Sequence, residues 1–158
     1  MEKTIKVGKG SVRINNDMAW TLYYEDQFGE DISATMLPVA SAIANNIGAM
    51  VELKERRDGG DELTTKDIAA MLATDEALEA FFGLSTIGVN GVKKIFWALA
   101  KCADESIPEL NEWAKGLGEF YLDTAGKDVL LFALKGFVSS KNWKRLESLT
   151  KANQPEAE

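Results

Sequence analysis

The sequence predicts a mostly α-helical domain with a small β hairpin at its N-terminus. Three observations carry that expectation. Two short strand-like runs, 4–7 and 11–14, flank a Gly8-Lys9-Gly10 turn. Most of the remaining chain repeats apolar residues at three- and four-residue spacing. At 158 residues, 46% hydrophobic and 27% charged, the chain has ordinary globular composition and can bury a core. One α-rich domain is expected over 1–150, a compact multi-helix body with the hairpin at 1–15 and helices over 16–150. A disordered tail follows at 151–158.

The elements follow in order. Gly8 and Gly10 tolerate the positive φ that a tight hairpin turn requires. Asn15, Asn16 and Asp17 offer side-chain oxygens to the free amides of a first helix. Trp20, Tyr24 and Phe28 stand at i, i+4 and i+8, one aromatic stripe that Met18 and Leu22 should widen into a buried face. Gly29 ends this helix. Residues 37–57 form a long helix with Pro38 in its first turn and small apolar residues for close packing. Residues 58–62 read as an exposed, mobile loop.

Thr64 or Thr65 should cap a helix through Ile68, Met71, Leu72 and Leu78 to Phe82, interrupted at Asp75. A hinge is expected at 83–85. The next helix, 86–103, places Val92, Ile95, Phe96, Leu99 and Cys102 or Ala103 on one face. Pro108 fits the first position of a short helix with Leu110 and Trp113, ended by Gly116 and Gly118. Asp123 and Thr124 precede a helix holding Val129, Leu130, Leu131, Leu134, Phe137 and Val138. A last helix holds Trp143, Leu146 and Leu149.

The chemistry is sparse. There is no histidine, which removes the commonest general base and the usual zinc ligand. Cys102 is the only cysteine, so no disulfide framework forms, and its neighbours Leu99 and Ala103 make it a small buried hydrophobe. Glu25, Asp26, Glu30 and Asp31 lack the spacing of an EF-hand loop and read as a solvated acidic face. No enzymatic activity, cofactor or metal is expected. No apolar run approaches the ~20 residues that span a bilayer, and the start has no signal-peptide core, so no membrane partner and a cytoplasmic location are expected. The net charge is −7, although residues 135–151 set five basic residues against Glu147 alone. Such acidity suits nucleic acid poorly, since affinity there rests on neutralising phosphates.

Two glycine patterns bear on function. Gly8-Lys9-Gly10 has Arg13 where a dinucleotide fingerprint needs its third glycine, so it is a turn. Ile87-Gly88-Val89-Asn90-Gly91, continuing to Ile95, matches the I-G-x-x-G-x-x-x-I run of KH RNA-binding loops, with Lys93 and Lys94 as phosphate contacts. Val89 and Asn90 are uncharged and no KH sheet is evident. A small RNA-binding module using Gly88–Gly91 is the alternative function.

The residues of the first helix carry a resemblance. A hairpin followed by Leu22-Tyr23-Tyr24-Glu25-Asp26-Gln27-Phe28-Gly29-Glu30-Asp31-Ile32 resembles the N-terminal region of tail assembly chaperones of long-tailed, siphovirus-like bacteriophages. In that family a Leu-Tyr/Phe-Glu-x-x-Phe/Thr-Gly-x-Asp-Ile/Leu run closes the first helix. Ile95 to Asp104, then Ile107-Pro108 and Glu112-Trp113, is similar to the family's W-A-L-A-K helix and the tryptophan-bearing helix after it. The loop at 58–62 and the basic C-terminal helix have no counterpart.

The resemblance implies a non-catalytic protein that binds the tape-measure protein, keeps it soluble and recruits tail tube subunits. It implies action in the host cytoplasm, absence from the mature virion, and a longer form made by ribosomal frameshifting. A chaperone coating a fibrous client also gains from self-association, so a homo-oligomer is expected. Because aromatics dominate interface energetics, Trp20, Tyr23, Tyr24 and Phe28, then Trp97 and Trp113, are the expected partner contacts. Their competing role is plain core.

Overall fold

Strands Glu2–Val7 (β1) and Gly10–Asn15 (β2) pair antiparallel, with Val7 opposite Gly10, Ile5 opposite Val12 and Lys3 opposite Ile14. Gly8 at φ 55° supplies the left-handed residue of the turn. Strand alternation buries Ile5, Val7 and Ile14 and leaves Glu2, Thr4 and Lys6 outside. The buried Asn16 donates from Nδ2 to the Phe132 carbonyl at 2.9 Å, tying the end of the hairpin to the last third of the chain. The structure, a computed structural model, describes residues 1–62, 64, 66 and 75–151.

Helix α1 (Ala19–Phe28) takes its cap from Asp17, whose Oδ1 accepts from the Ala19 N–H at 3.3 Å and whose carbonyl accepts from the Trp20 N–H at 3.0 Å. Gly29 ends it as expected, left-handed at φ 66° and donating to the Glu25 carbonyl. Helix α2 (Ser33–Asp58) starts four residues earlier than the sequence suggests, because Asp31 Oδ1 accepts from the Ser33 N–H at 2.9 Å. Pro38 therefore lies inside the helix, beyond its first turn. Residues 59–62 are exposed. Against expectation, α2 is long and apolar enough, by length and composition alone, to cross a membrane. Here Met36, Val39, Ala40, Ala42 and Ile47 are buried in the protein instead.

The expected cap at Thr65 and the stretch through Ile68, Met71 and Leu72 lie outside the described residues, as do the side chains of Leu78 and Phe82. Helix α3 (Asp75–Ala103) is helical through the expected hinge at 83–85 and breaks at Gly88, where φ is 59° and ψ −178°. Beyond the break Val92, Ile95, Phe96, Trp97, Ala98, Leu99 and Ala100 are all buried, so α3 is enclosed on every side over 95–100. It packs against β2, α1 and α2.

Helix α4 (Leu110–Leu117) begins two residues after Pro108, because the Pro108 carbonyl is turned to accept from Trp97 Nε1 at 2.8 Å and Glu109 is extended. Gly116 lies within it; Gly118, at φ 72°, ends it. A π-turn at Leu122–Gly126 leads into α5 (Lys127–Lys135), which stops before Phe137 and Val138. Helix α6 (Ser140–Lys151) follows and packs on α2. Val129, Phe132, Leu134, Val138 and Trp143 are buried, whereas Leu131 is exposed. Of the expected disordered tail at 151–158, Lys151 is the last residue of α6, and residues 152–158 lie outside the described residues. Among the described residues the protein is six α-helices behind a two-stranded N-terminal hairpin, the fold class its sequence predicts.

Candidate functional site

Helix α1 has two unlike faces. On the inner one Trp20 meets Tyr24 and Phe137 edge-on at 6.4 and 6.1 Å, Tyr24 meets Phe28 at 4.9 Å, and Phe28 meets Trp97 at 5.6 Å. The rings of Trp20, Tyr24, Phe28 and Trp97 thus form one continuous chain. Trp113 belongs to a second group, 5.1 Å from Phe96, which stacks on Phe120. Trp20, Tyr24 and Trp97, expected as partner contacts, are buried in the core. Their ring faces are spent on one another. Phe28, Trp113 and Tyr23 are half-buried. Tyr23 stands apart from the ring chain, its hydroxyl donating to Glu105 Oε1 at 2.8 Å.

The outer face carries the surprise. Met18 and Leu22, expected to extend the buried stripe, are 48% and 66% exposed. The cause is angular: each sits two residues from a stripe position, about 200° around a helix of 3.6 residues per turn. Leu22 is therefore opposite Trp20 and Tyr24, and with Met18 it forms an apolar pair one turn apart. Ala19, Leu22, Tyr23, Glu25 and Asp26 line a shallow depression there, apolar at its centre and acidic at its C-terminal end. Helical spacing alone would have found this pair.

Around this face the corner between α1 and α2 is fixed to α3. The Lys94 ammonium lies 3.5 Å from the Glu30 carboxylate and 5.0 Å above the Phe28 ring. Lys93, the neighbouring cation, is exposed. Gly91 has a packing reason: a Cβ there would come within 2.7 Å of Ile87 Cγ2.

Titratable groups here are tuned against ionisation. Burial, and then the Glu30 carboxylate its hydroxyl bonds at 3.3 Å, push Tyr24 up to about 12. The hydrogen bond to Glu105 raises Tyr23. Burial raises the Cys102 thiol, with the Asp17 carboxylate adding to it, so the half-buried sulfur is a poor thiolate. The Tyr24 shift has a signed consequence. Unfolded chains release this proton near its ordinary value of 10.0, so stability is intact below that pH and falls as pH rises through about 12. Chemical unfolding across that window should show a fall that Tyr24→Phe lessens; equal slopes in both proteins would contradict the assignment.

Among the described residues no group of three or more acidic or cysteine side chains comes together to hold a metal ion. No family model matches the chain, and neither a curated protein nor a solved structure matches it.

Proposed function

We propose that the chain is a non-catalytic tail assembly chaperone of a long-tailed bacteriophage, one that binds the tape-measure protein, keeps it soluble and recruits tail tube subunits. The resemblance over 22–32 and 95–113 supports this reading. The observation that carries it is the exposure of Met18 and Leu22 on the outer face of α1, Leu22 being the first residue of the run that bears the resemblance. Two large apolar side chains that water reaches, beside Glu25 and Asp26, suit an apolar client helix flanked by basic residues. Covering what remains exposed of each side chain contributes on the order of 1–2 kcal/mol, and the carboxylates set orientation and encounter rate. The net charge of −7 keeps the chaperone itself soluble in the host cytoplasm. On this reading it leaves before the virion is complete.

The RNA-binding alternative at Gly88–Gly91 has less behind it. Lys94 is held by Glu30, and the contact with Ile87 accounts for Gly91.

The test is affinity capture of the tagged protein from phage-infected or prophage-induced cells, with and without nuclease, read by mass spectrometry. Nuclease-resistant recovery of the tape-measure and tube proteins is expected. Leu22→Asp should reduce that recovery roughly tenfold with little change in the unfolding midpoint, because the side chain is exposed. Recovery of RNA with neither tail protein overturns the proposal. Undiminished capture by Leu22→Asp and Met18→Asp moves the contact surface off α1.

A further inference from the structure

We propose that the outer edge of β1 is a self-association site, where a second copy of this chain pairs antiparallel to complete a four-stranded sheet. The inference stands apart from the chaperone reading. The Asn16 N–H donates to the Met1 carbonyl at 3.1 Å, which sets the phase of the ladder. By alternation Lys3, Ile5 and Val7 exchange hydrogen bonds with β2. The backbone groups of Glu2, Thr4 and Lys6 therefore point away from β2, along the free edge. Among the described residues nothing pairs with them, and the sheet ends at β1. The strand contains no proline and its register over Glu2–Val7 has no bulge, so its guards are the charges of Glu2, Lys3 and Lys6.

This edge is complementary to itself in one register. About a two-fold axis at Thr4, Thr4 faces Thr4 of the second copy, and Glu2 faces Lys6 of the second copy on both sides of the axis. All the outward-pointing residues of both strands then become hydrogen-bonded pairs, and opposite charges oppose on one exposed face. Sliding either strand by two residues loses a pair, sets one charge of each strand against a threonine and leaves the other without its opposite. A strand from another protein would find the same backbone groups without this match.

Apolar surface flanks the edge at both ends. Exposed Leu131 lines one depression with Glu2 and Lys3, and exposed Tyr121 lines another with Lys6 and Val7. The two-fold pairing brings the Leu131 end of one copy to the Tyr121 end of the other.

Sedimentation of the full chain over a range of concentrations tests this. A species of twice the 17.3 kDa chain mass is expected, dissociating on dilution. Glu2→Lys and Lys6→Glu each set like charges opposite and should weaken the dimer about tenfold; the double exchange should restore it. Thr4→Pro deletes an N–H that the hairpin does not use and should weaken association at least as much, with circular dichroism unchanged. A monomer at every concentration overturns the proposal and leaves the edge to a strand of another protein. A dimer indifferent to all four variants overturns it as well.

Discussion

Trp20→Ala should lower stability by about 3 to 5 kcal/mol, enough to leave a domain of ordinary stability only marginally folded. The ring is fully buried between Tyr24 and Phe137, which come from opposite ends of the chain. Truncation removes both edge-on contacts and leaves a cavity in the core. One term works the other way. Trp20 Nε1 is buried with no hydrogen-bond partner among the described residues, so removing the ring also removes an orphaned donor. That places the expected loss toward the lower end of the range. Urea unfolding followed by circular dichroism reads the effect, and a loss below about 1 kcal/mol would contradict a core role. The contrast with Leu22→Asp is the useful one. Two residues apart on the same helix, one change should cost stability and the other partner capture.

Gly88→Ala should cost about 1 to 3 kcal/mol, since φ 59° with ψ −178° belongs to a region that a Cβ excludes. Space is not the issue: a Cβ at Gly88 would meet no atom within 4 Å. The penalty is purely of the backbone, and the mutant can escape it only by straightening α3. Straightening would re-aim residues 75–87 relative to the buried stretch from Val92 to Ala100. Gly48→Ala is the matched control. Gly48 is exposed inside α2 with equally open surroundings, and there alanine should stabilise by about 0.4–1 kcal/mol. Unfolding midpoints moving in opposite directions would separate backbone strain from propensity. Both moving upward would mean that α3 accepts a straight path.

Much of the fold was legible because its signals are local. The turn at Gly8, the left-handed Gly29 and the seam from Val92 to Leu99 each depend on a few neighbouring residues. What was missed depends on geometry that residue type alone does not carry. Asp31 caps α2 through one short hydrogen bond, and nothing in the apolar period distinguishes that start from one at Leu37. The break in α3 fell on Gly88 rather than at Gly83, two glycines of equal local promise. The site shows the sharper lesson. The aromatic stripe was legible as a stripe, but residue type did not say that Trp20, Tyr24, Phe28 and Trp97 would form one chain of ring contacts inside the protein. Counting Met18 and Leu22 as core put apolar character ahead of helical phase. With phase considered first, Leu22 stands out as the misplaced residue.

The hydrogen bond from Asn16 to the Phe132 carbonyl has a consequence for how the protein is made. The two residues are 116 positions apart, so at about 5–20 residues per second the hairpin emerges on the order of ten seconds before its partner is synthesised. Trp20 waits about as long for Phe137. A lone two-stranded hairpin is marginal at best in water, so the first segment made should be among the last to be secured. During that interval Ile5, Val7, Ile14 and Trp20 depend on cover from elsewhere on the nascent chain or from the cell. A stop codon or ribosome stall before Phe132 would therefore release a sticky fragment rather than a smaller domain.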